Sequence, residues 1–208
     1  HPKIESMKLI CIGRNYVKHI EELGNEKPES PIIFLKPDSA LIKKNEPFYY
    51  PNFSTDIHYE VEVLVKIKKV GKSIPVNFAQ KYYDEIGLGI DLTARDLQSK
   101  AKAKGLPWDL AKGFNGSAPI SNFINKHLYN VQDLNFSLKL NGITVQSSNT
   151  SHMLWSIDEM IAYVSQYMTL KKGDILFTGT PEGVGPIKIG DQLEGFIESQ
   201  NMFHFEIR

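Results

Sequence analysis

The sequence predicts a mixed α/β fold in which β-strands dominate. Residues 57–67 form an alternating apolar run, which is the pattern of a strand. Asn141-Gly142 stands between two further alternating runs, and this dipeptide is a strong signal for a β-hairpin. Residues 157–167 instead carry apolar side chains at helical spacing. Because strand patterns outnumber helical ones and no repeat or linker interrupts them, we expect a single domain over residues 7–208.

The first predicted elements are a strand, a helix and a second strand. Residues 8–12 form an apolar run typical of a strand. Residues 15–23 repeat apolar side chains at helical spacing, and Gly24 can end that helix. The second strand covers residues 32–36 and stops at Pro37, which has no backbone N–H to donate.

The later elements are strands separated by turns, with two more helices. Residues 87–91 indicate a short strand, and a helix is expected to begin directly after it with Asp91 or Thr93 as its N-cap. Ser156 is the expected N-cap of the helix at residues 157–167. The remaining strands are predicted in the hairpin of residues 136–145 and at residues 174–179, 190–197 and 202–208.

Composition excludes several classes of partner. The chain has 208 residues, of which 41% are hydrophobic and 23% charged, and this suits one globular domain with a sizeable core. The 24 basic and 24 acidic side chains cancel, and no basic face appears, so nucleic acid is not expected as a partner. The longest apolar runs are far too short to span a membrane, so no membrane partner is expected either.

The cysteine count and the first residues bear on location. Cys11 is the single cysteine, which rules out an internal disulfide and favours a reducing compartment. The sequence begins without a signal-peptide pattern, so we expect a cytoplasmic protein. Residues 1–6 are expected to be an expression remnant that precedes a natural start at Met7.

Two glutamates within the strand of residues 57–67 are the most informative feature of the chain. Glu60 and Glu62 are two residues apart, so they lie on one strand face together with His58 and repel each other. A divalent cation removes that repulsion and takes their oxygens as ligands. The alternative is the solvated face of an edge strand, where charges discourage aggregation.

A third carboxylate strengthens the metal hypothesis. Asp91 lies at the expected end of a strand, although a helix cap alone would also explain it. Together Glu60, Glu62 and Asp91 supply three oxygen donors and leave positions for water and substrate, which is the pattern expected of Mg²⁺ or Mn²⁺.

Two further segments carry side chains suited to an acidic ligand. Arg95 and Gln98 are three residues apart and share a helix face, so a guanidinium and an amide can together bind a carboxylate or keto acid. Thr180 stands in the glycine-rich turn of residues 178–186, where its hydroxyl and nearby backbone amides can bind a carboxylate. The alternative is that these glycines only permit tight turns.

A histidine and a glutamate form a candidate general base in the first helix. His19 and Glu22 are three residues apart, and a carboxylate beside an imidazole orients it and raises its basicity. The alternative is an ordinary solvated pair on a surface helix. Residues 25–30 are polar and follow the helix directly, so residues 15–30 have the character of a lid that closes over a site.

Taken in order, these segments resemble the fumarylacetoacetate hydrolase family, and within it the short acylpyruvate hydrolase and oxaloacetate decarboxylase group. The likeness is carried by Gly13-Arg14-Asn15-Tyr16, the strand with Glu60 and Glu62, Asp91-Leu92-Thr93-Ala94-Arg95-Asp96, Lys104-Gly105-Leu106-Pro107-Trp108, Lys112-Gly113-Phe114, and residues 178–185. The resemblance implies a β-roll or β-sandwich-like fold, a homodimer and bound Mg²⁺ or Mn²⁺. One departure is Phe114-Asn115, where many larger members have Phe-Asp.

The resemblance also implies a role for each candidate residue. Glu60, Glu62 and Asp91 are expected to bind the metal. His19 and Glu22 are expected to activate water from the lid, with Lys112 as a further catalytic group. The substrate is expected to be held by Arg14, Arg95, Gln98 and Thr180, with Lys112 beside it.

The implied activity is cleavage of the C3–C4 bond of acylpyruvates, which are 2,4-diketo acids, with oxaloacetate decarboxylation at the same site. Two alternatives stay open. One is an isomerase of the 2-hydroxyhepta-2,4-diene-1,7-dioate type. The other is a metal-binding module without catalytic activity.

Overall fold

The computed structural model describes residues 7–208, so the expected expression remnant at residues 1–6 lies outside the described residues. Strands dominate this part of the chain, as predicted. The α-helices are α1 (Val17–Glu22), α2 (Val76–Ala79), α3 (Arg95–Ala103), α4 (Asp109–Lys112) and α5 (Ile157–Tyr167). The strands are β1 (Leu9–Gly13), β2 (Ile32–Lys36), β3 (Leu41–Ile42), β4 (Ile57–Tyr59), β5 (Val61–Ile67), β6 (Tyr83–Ile90), β7 (Thr93–Ala94), β8 (Ala118–Pro119), β9 (Ile124–Asn125), β10 (Asn135–Leu140), β11 (Ile143–Asn149), β12 (Ile175–Phe177), β13 (Gly185–Pro186), β14 (Gln192–Ile197) and β15 (Gln200–Glu206).

A six-stranded sheet holds the strands that carry the glutamates. Its order is β2-β1-β12-β5-β6-β9, with β1 and β12 parallel and the other neighbours antiparallel. β5 therefore lies inside the sheet, and the edge-strand interpretation of Glu62 is wrong. Because both faces of β5 are covered, residues 61–65 are all buried, and the alternation along this strand does not separate a core face from a solvent face.

The run of residues 57–67 is also not one continuous strand. The chain breaks at Glu60, so that β4 joins a small sheet of order β13-β4-β7 while β5 enters the large one. The alternation predicted His58 beside the two glutamates, but His58 does not line the cavity that Glu60 and Glu62 line. Its Nε2 atom lies 2.9 Å from Asp56 Oδ1 instead.

A four-stranded sheet of order β11-β10-β14-β15 covers the other side of the core. The predicted hairpin is confirmed, since β10 and β11 pair across Asn141 and Gly142, whose φ angles of 51° and 82° suit a tight hairpin turn. Leu88 of the large sheet and Leu138, Leu193 and Phe203 of this one belong to one buried apolar cluster. The two sheets thus share a core, as in the expected sandwich-like fold.

The helices match the sequence at α5 and differ at α3. Ser156 caps α5 as predicted, and its hydroxyl and the Glu159 side chain form a reciprocal capping box. At α3 the N-cap residue is Ala94, so neither Asp91 nor Thr93 caps that helix. Thr93 pairs with His58 in the β4–β7 ladder, and this extended conformation frees its hydroxyl for another partner. Within residues 7–208, the helices are all too short or too polar for a membrane span.

Candidate active site

Three buried carboxylates meet where β4, β5 and β6 come together. Glu60 occupies the break between β4 and β5, Glu62 lies on β5, and Asp91 follows β6 directly. Antiparallel pairing places Val61 opposite Ile90, and the Asp91 N–H donates to the Glu60 carbonyl at 2.8 Å. One oxygen from each carboxylate lies within 4.8 Å of the others. The predicted set of metal ligands is therefore brought to one point.

Three cations surround these carboxylates. Lys112 Nζ donates to Asp91 Oδ2 at 2.7 Å and to Glu60 Oε2 at 3.1 Å. Arg95 donates to Glu60 Oε1 at 2.5 Å. Lys36 Nζ lies 2.7 Å from Asp91 Oδ1, without the orientation of a hydrogen bond. Three positive groups thus balance three negative ones, and a bound divalent cation would give the site a net charge that suits an anionic substrate.

The sequence analysis missed Lys36. Its side chain is fully buried, and its ammonium also contacts the Leu92 and Lys112 carbonyls and donates to the Ser117 hydroxyl at 3.1 Å. These partners lie 56 to 81 residues away in the chain, so local patterns do not point to them. The available signal was a lysine at the end of an apolar strand, directly before Pro37.

The pKa values of Glu60 and Glu62 are shifted in opposite directions. Burial alone would raise the pKa of Glu60, but the Lys112 and Arg95 charges outweigh it and hold that pKa well below its usual range. Burial raises the pKa of Glu62, and the charges of Asp91 and Glu60 raise it further. For Lys112, burial lowers the pKa, but Asp91 and Glu60 more than compensate and raise it.

These features fit a hard divalent cation. The donor set is three carboxylates, which is the chemistry that Mg²⁺ and Mn²⁺ prefer. Asp91 Oδ1 is buried and accepts no oriented hydrogen bond within residues 7–208; its one charged neighbour is the Lys36 ammonium at 2.7 Å. Burial is the main reason that the pKa of Glu62 is raised, and the three cations form their ion pairs with Glu60 and Asp91 within residues 7–208, not with Glu62. Glu60, Glu62 and Asp91 would therefore hold the ion.

The candidate substrate-binding groups lie beside the carboxylates. Arg95 donates to Gln98 Oε1 at 2.7 Å, so these two side chains share a face of α3 as predicted. The Thr93 hydroxyl, one of the two expected helix caps, instead donates to Glu60 Oε1 at 3.1 Å and accepts from Lys112 Nζ. Arg14 donates to Asn25 Oδ1 at 3.0 Å, which links the end of β1 to the predicted lid.

The glycine-rich turn of residues 178–186 forms hydrogen bonds with Glu62 and with Gln146. The Gly179 N–H donates to Glu62 Oε2 at 2.8 Å. Gln146, which the sequence analysis missed, is buried and donates to the Thr180 hydroxyl and to the Pro181 carbonyl, both at 2.9 Å. Its Oε1 accepts from the Val61 N–H at 2.9 Å, next to Glu60. One amide side chain therefore joins the turn to the strand that carries the glutamates.

Replacing Gln146 by leucine should destabilise the protein and misplace Thr180. The change leaves the Val61 N–H and the acceptors in the turn without partners, and each unsatisfied buried group costs about 1–3 kcal/mol. We expect a loss of roughly 2–4 kcal/mol in the free energy of unfolding in urea. Gln132→Leu, at an exposed position, is the control and should change stability little. Equal stability of both variants would contradict this view of Gln146.

The His19–Glu22 pair sits at the mouth of the site. His19 Nδ1 lies 3.4 Å from Glu22 Oε2; the His19 side chain is 6% exposed and that of Glu22 is 34% exposed, so the imidazole is buried while the carboxylate keeps contact with solvent. Burial lowers the pKa of His19, which keeps its imidazole neutral. Both Glu22 oxygens accept from the Gly183 N–H at 3.1 Å, so α1 is held against the glycine-rich turn.

One cavity of about 40 Å³ is lined by nearly all the predicted residues. Its walls include Arg14, His19, Glu60, Glu62, Asp91, Arg95, Gln98, Lys112 and Thr180. Glu22 is outside this set and reaches the cavity through His19. The cavity also contacts Phe34, Lys102 and Trp108, to which the sequence analysis gave no role.

Known proteins share this fold and much of this sequence. Residues 8–207 match the family described as fumarylacetoacetate hydrolase, C-terminal. Mitochondrial oxaloacetate tautomerase of Mus musculus is 40% identical over 201 residues, which are 96% of this chain and 91% of that protein. The crystal structure of fumarylpyruvate hydrolase from Pseudomonas aeruginosa, in complex with Mn²⁺ and pyruvate, superposes with a TM-score of 0.92 at 31% identity, covering 100% of this chain and 93% of that one.

An isomerase belongs to the same set of similar structures. The structure of 2-hydroxyhepta-2,4-diene-1,7-dioate isomerase from Mycobacterium marinum has a TM-score of 0.85 at 31% identity and covers 97% of this chain and 74% of that one. The similar proteins are thus enzymes of hydrolase, isomerase and tautomerase types. The match over nearly the whole sequence establishes that this chain belongs to the fumarylacetoacetate hydrolase family.

Proposed function

We propose that this protein is a Mg²⁺- or Mn²⁺-dependent hydrolase that cleaves the C3–C4 bond of acylpyruvates and that also decarboxylates oxaloacetate. The observation that carries the proposal is the position of His19, a buried imidazole in the wall of the cavity that contains the three carboxylates. Hydrolysis needs a base that can reach water in such a cavity. The Mn²⁺ and pyruvate in the similar fumarylpyruvate hydrolase support the choice of metal and substrate class.

Binding of the keto acid is assigned to the cationic and amide groups. Arg95, Gln98 and the Thr180 hydroxyl offer hydrogen bonds to the substrate carboxylate, and Arg14 approaches from the lid side. When bound, the divalent cation supplies Lewis-acid polarisation of the substrate's keto oxygen. Lys112 adds a fixed positive charge where negative charge grows on the C2 oxygen.

His19 and Glu22 are assigned the activation of water. With Nδ1 directed at the Glu22 carboxylate, His19 keeps Nε2 free as the base. His19 removes a proton from water while the water oxygen bonds to the C4 carbonyl carbon. The C3–C4 bond then breaks, its electron pair stays on the pyruvate fragment, and a proton returned to C3 completes pyruvate and a free carboxylic acid. With oxaloacetate, C4 leaves as CO₂ and no water attack is required.

The loss of hydrolytic activity at low pH should follow protonation of the His19 imidazole. Burial lowers the pKa of this imidazole from the ordinary 6.5, so the neutral base persists to lower pH than for a free histidine. We expect kcat/KM for acylpyruvate hydrolysis to fall only as pH drops below about 6.5. The profile should be measured between pH 4.5 and 8 with Mn²⁺ saturating throughout. An acid limb centred above pH 7 would contradict a neutral buried His19.

Oxaloacetate tautomerisation is the second candidate function, and it is favoured by the 40% identity to the mouse tautomerase. The same imidazole would move a proton between C3 and the enol oxygen, without cleavage of a carbon–carbon bond. Isomerisation of a hydroxy-dienedioate uses related proton transfers and remains a further alternative.

Pyruvate release from acetylpyruvate tests the proposal. We expect turnover with Mg²⁺ or Mn²⁺, loss of turnover with EDTA, and recovery on addition of the metal. Absorbance of the oxaloacetate enol, followed in the same buffers, tests the tautomerase. Proton exchange without pyruvate release would favour the tautomerase or isomerase. Metal binding without turnover of either substrate would indicate a metal-binding module without catalytic activity.

We also propose a homodimer and a closing lid at residues 15–30. Support for the dimer is exposed aromatic surface, with Tyr49 66% and Phe53 52% exposed beside a cleft that they line. The purified chain should sediment as a dimer at micromolar concentration. A monomer under those conditions would contradict the assembly.

A further inference from the structure

A second, larger cleft adjoins the cavity of the candidate active site. It has a volume of about 400 Å³ and lies between strand β2 and the loop that leads into α4. Its apolar walls are Ile32, Ile33, Leu35, Leu106 and Pro107. Leu35 and Leu106 are 42% and 53% exposed, so this part of the protein presents apolar side chains to solvent beside a polar site.

The two spaces share walls. Phe34, Trp108 and Lys112 contact both the inner cavity and the outer cleft. The ring centroids of Phe34 and Trp108 are 5.9 Å apart, and Lys112 Nζ lies 5.0 Å from the Phe34 ring centroid. The cleft therefore lies directly beside the cavity that contains the carboxylates, with these two rings at their common boundary.

The inner cavity is small for a whole substrate. Its volume of about 40 Å³ lies far below the roughly 300–1,000 Å³ of typical ligand pockets. A diketo acid has a pyruvate part, which must face the metal ligands, and an acyl part beyond C4. The acyl part needs further space, and the cleft that shares Phe34 and Trp108 with the cavity offers it.

The charges at the cleft select the kind of acyl group. The Lys112 ammonium is engaged by Asp91 and Glu60. Asp109 is exposed at the cleft and forms no ion pair within residues 7–208. Lys102 lies 5.3 Å from the Trp108 ring centroid and lines the inner cavity, but not the cleft. A carboxylate at the far end of the acyl group would meet Asp109 and apolar side chains, which do not stabilise it.

We propose that this cleft is the acyl subsite of the enzyme and that it takes neutral aliphatic or aromatic acyl groups in preference to acyl groups that end in a carboxylate. The inference rests on the proposed function, because it presumes that the pyruvate part binds at Glu60, Glu62 and Asp91. Each methylene buried in the cleft should raise kcat/KM by roughly twofold to fourfold.

Chain-length series in two matched variants test the subsite. We would measure kcat/KM for acetylpyruvate, hexanoylpyruvate and fumarylpyruvate with Mn²⁺ in wild type, Leu106→Gln and Leu128→Gln. Leu128 is 65% exposed and lies outside the cleft. The ratio of hexanoylpyruvate to acetylpyruvate should exceed about 10 in wild type and in Leu128→Gln, and should fall by at least about fivefold in Leu106→Gln. A flat series, an equal fall in both variants, or a preference for fumarylpyruvate would overturn the proposal.

A binding measurement separates failure of the subsite from failure of the proposed function. The chain has two tryptophans, so Trp155→Phe leaves Trp108 as the fluorescent reporter in the cleft. Titration with 2-oxooctanoate and pyruvate in the presence of Mn²⁺ should change Trp108 emission, with the longer acid binding at least about tenfold more tightly. This result without acylpyruvate turnover would sustain the cleft and reject the hydrolase. Equal affinities would reject the cleft.

The other occupant of such a cleft would be a second copy of the chain. Sedimentation of wild type and Leu106→Gln distinguishes the two cases. An unchanged oligomeric state in the variant is expected of a subsite. Dissociation of an assembly by Leu106→Gln would identify the cleft as an interface and overturn the proposal.

Discussion

Glu62→Gln should abolish tight binding of Mg²⁺ and Mn²⁺ and leave the chain folded. Glutamine keeps an oxygen that can accept from the Gly179 N–H, which donates to Glu62 at 2.8 Å, but it removes the charge that a hard cation requires. Loss of an outer partner of a metal ligand already costs about 10–100-fold in affinity, so loss of a direct ligand should cost more than about 100-fold. Hydrolysis and decarboxylation should fall together, since both need the ion.

Isothermal titration with Mn²⁺, paired with thermal unfolding, checks this result. Glu85→Gln is the matched control, because Glu85 lies on β6 of the same sheet and forms an exposed pair with Lys66 at 3.0 Å. Affinity within threefold of wild type in Glu62→Gln would remove Glu62 from the metal site. Asp91 is a poorer test position, because its loss removes the one carboxylate that contacts buried Lys36 and one of the two that contact Lys112, at a cost of about 3–5 kcal/mol.

His19→Ala should lower acylpyruvate hydrolysis by about 10²–10⁴, the usual size of general-base catalysis, and oxaloacetate decarboxylation by much less. The reason is that water attack at C4 needs a base, whereas departure of CO₂ does not. The side-chain partner of His19 within residues 7–208 is Glu22, not one of the candidate metal ligands, so Mn²⁺ affinity should not change. The measurement is kcat/KM for both substrates in the variant and in wild type.

A second variant makes the result decisive. Glu22→Gln keeps an oxygen for the Gly183 N–H, so it holds α1 against the turn while removing the charge beside the imidazole. Its loss of hydrolysis should be smaller than that of His19→Ala. Equal losses of both reactions in His19→Ala would mean that the imidazole binds substrate or closes the lid. Activity at the wild-type level would exclude it from catalysis.

Local signals in the sequence were sufficient to predict several elements of the structure. The Asn141-Gly142 turn and the capping box at Ser156 follow from the conformations that those residues prefer, and both are present. Arg95 and Gln98 meet because helical spacing alone brings side chains three residues apart together. In these cases the information lies within a few residues, so it could be used without knowledge of the fold.

Long-range contacts account for what the sequence analysis missed. Lys36 is buried because it meets Leu92 and Ser117, and Gln146 because it meets Val61 and the turn after β12. The edge or interior position of β5 depends on which strands flank it, and its own residues do not encode that choice. For the same reason the cap expected at Thr93 was wrong, since pairing with β4 holds it extended.

The placement of β1 between β2 and β12 has a consequence for synthesis of the chain. Lys8 bonds to Asp174, 166 residues away, and β12 fills the position between β1 and β5. A nascent chain that ends before residue 175 therefore has its N-terminal strand pair and its glutamate-bearing strand, but no strand to join them. At a synthesis rate of about 5–20 residues per second, the sheet cannot be completed until β12 is made, several seconds after β5. Topology of this kind also slows refolding, because distant contacts must form before the sheet gains stability.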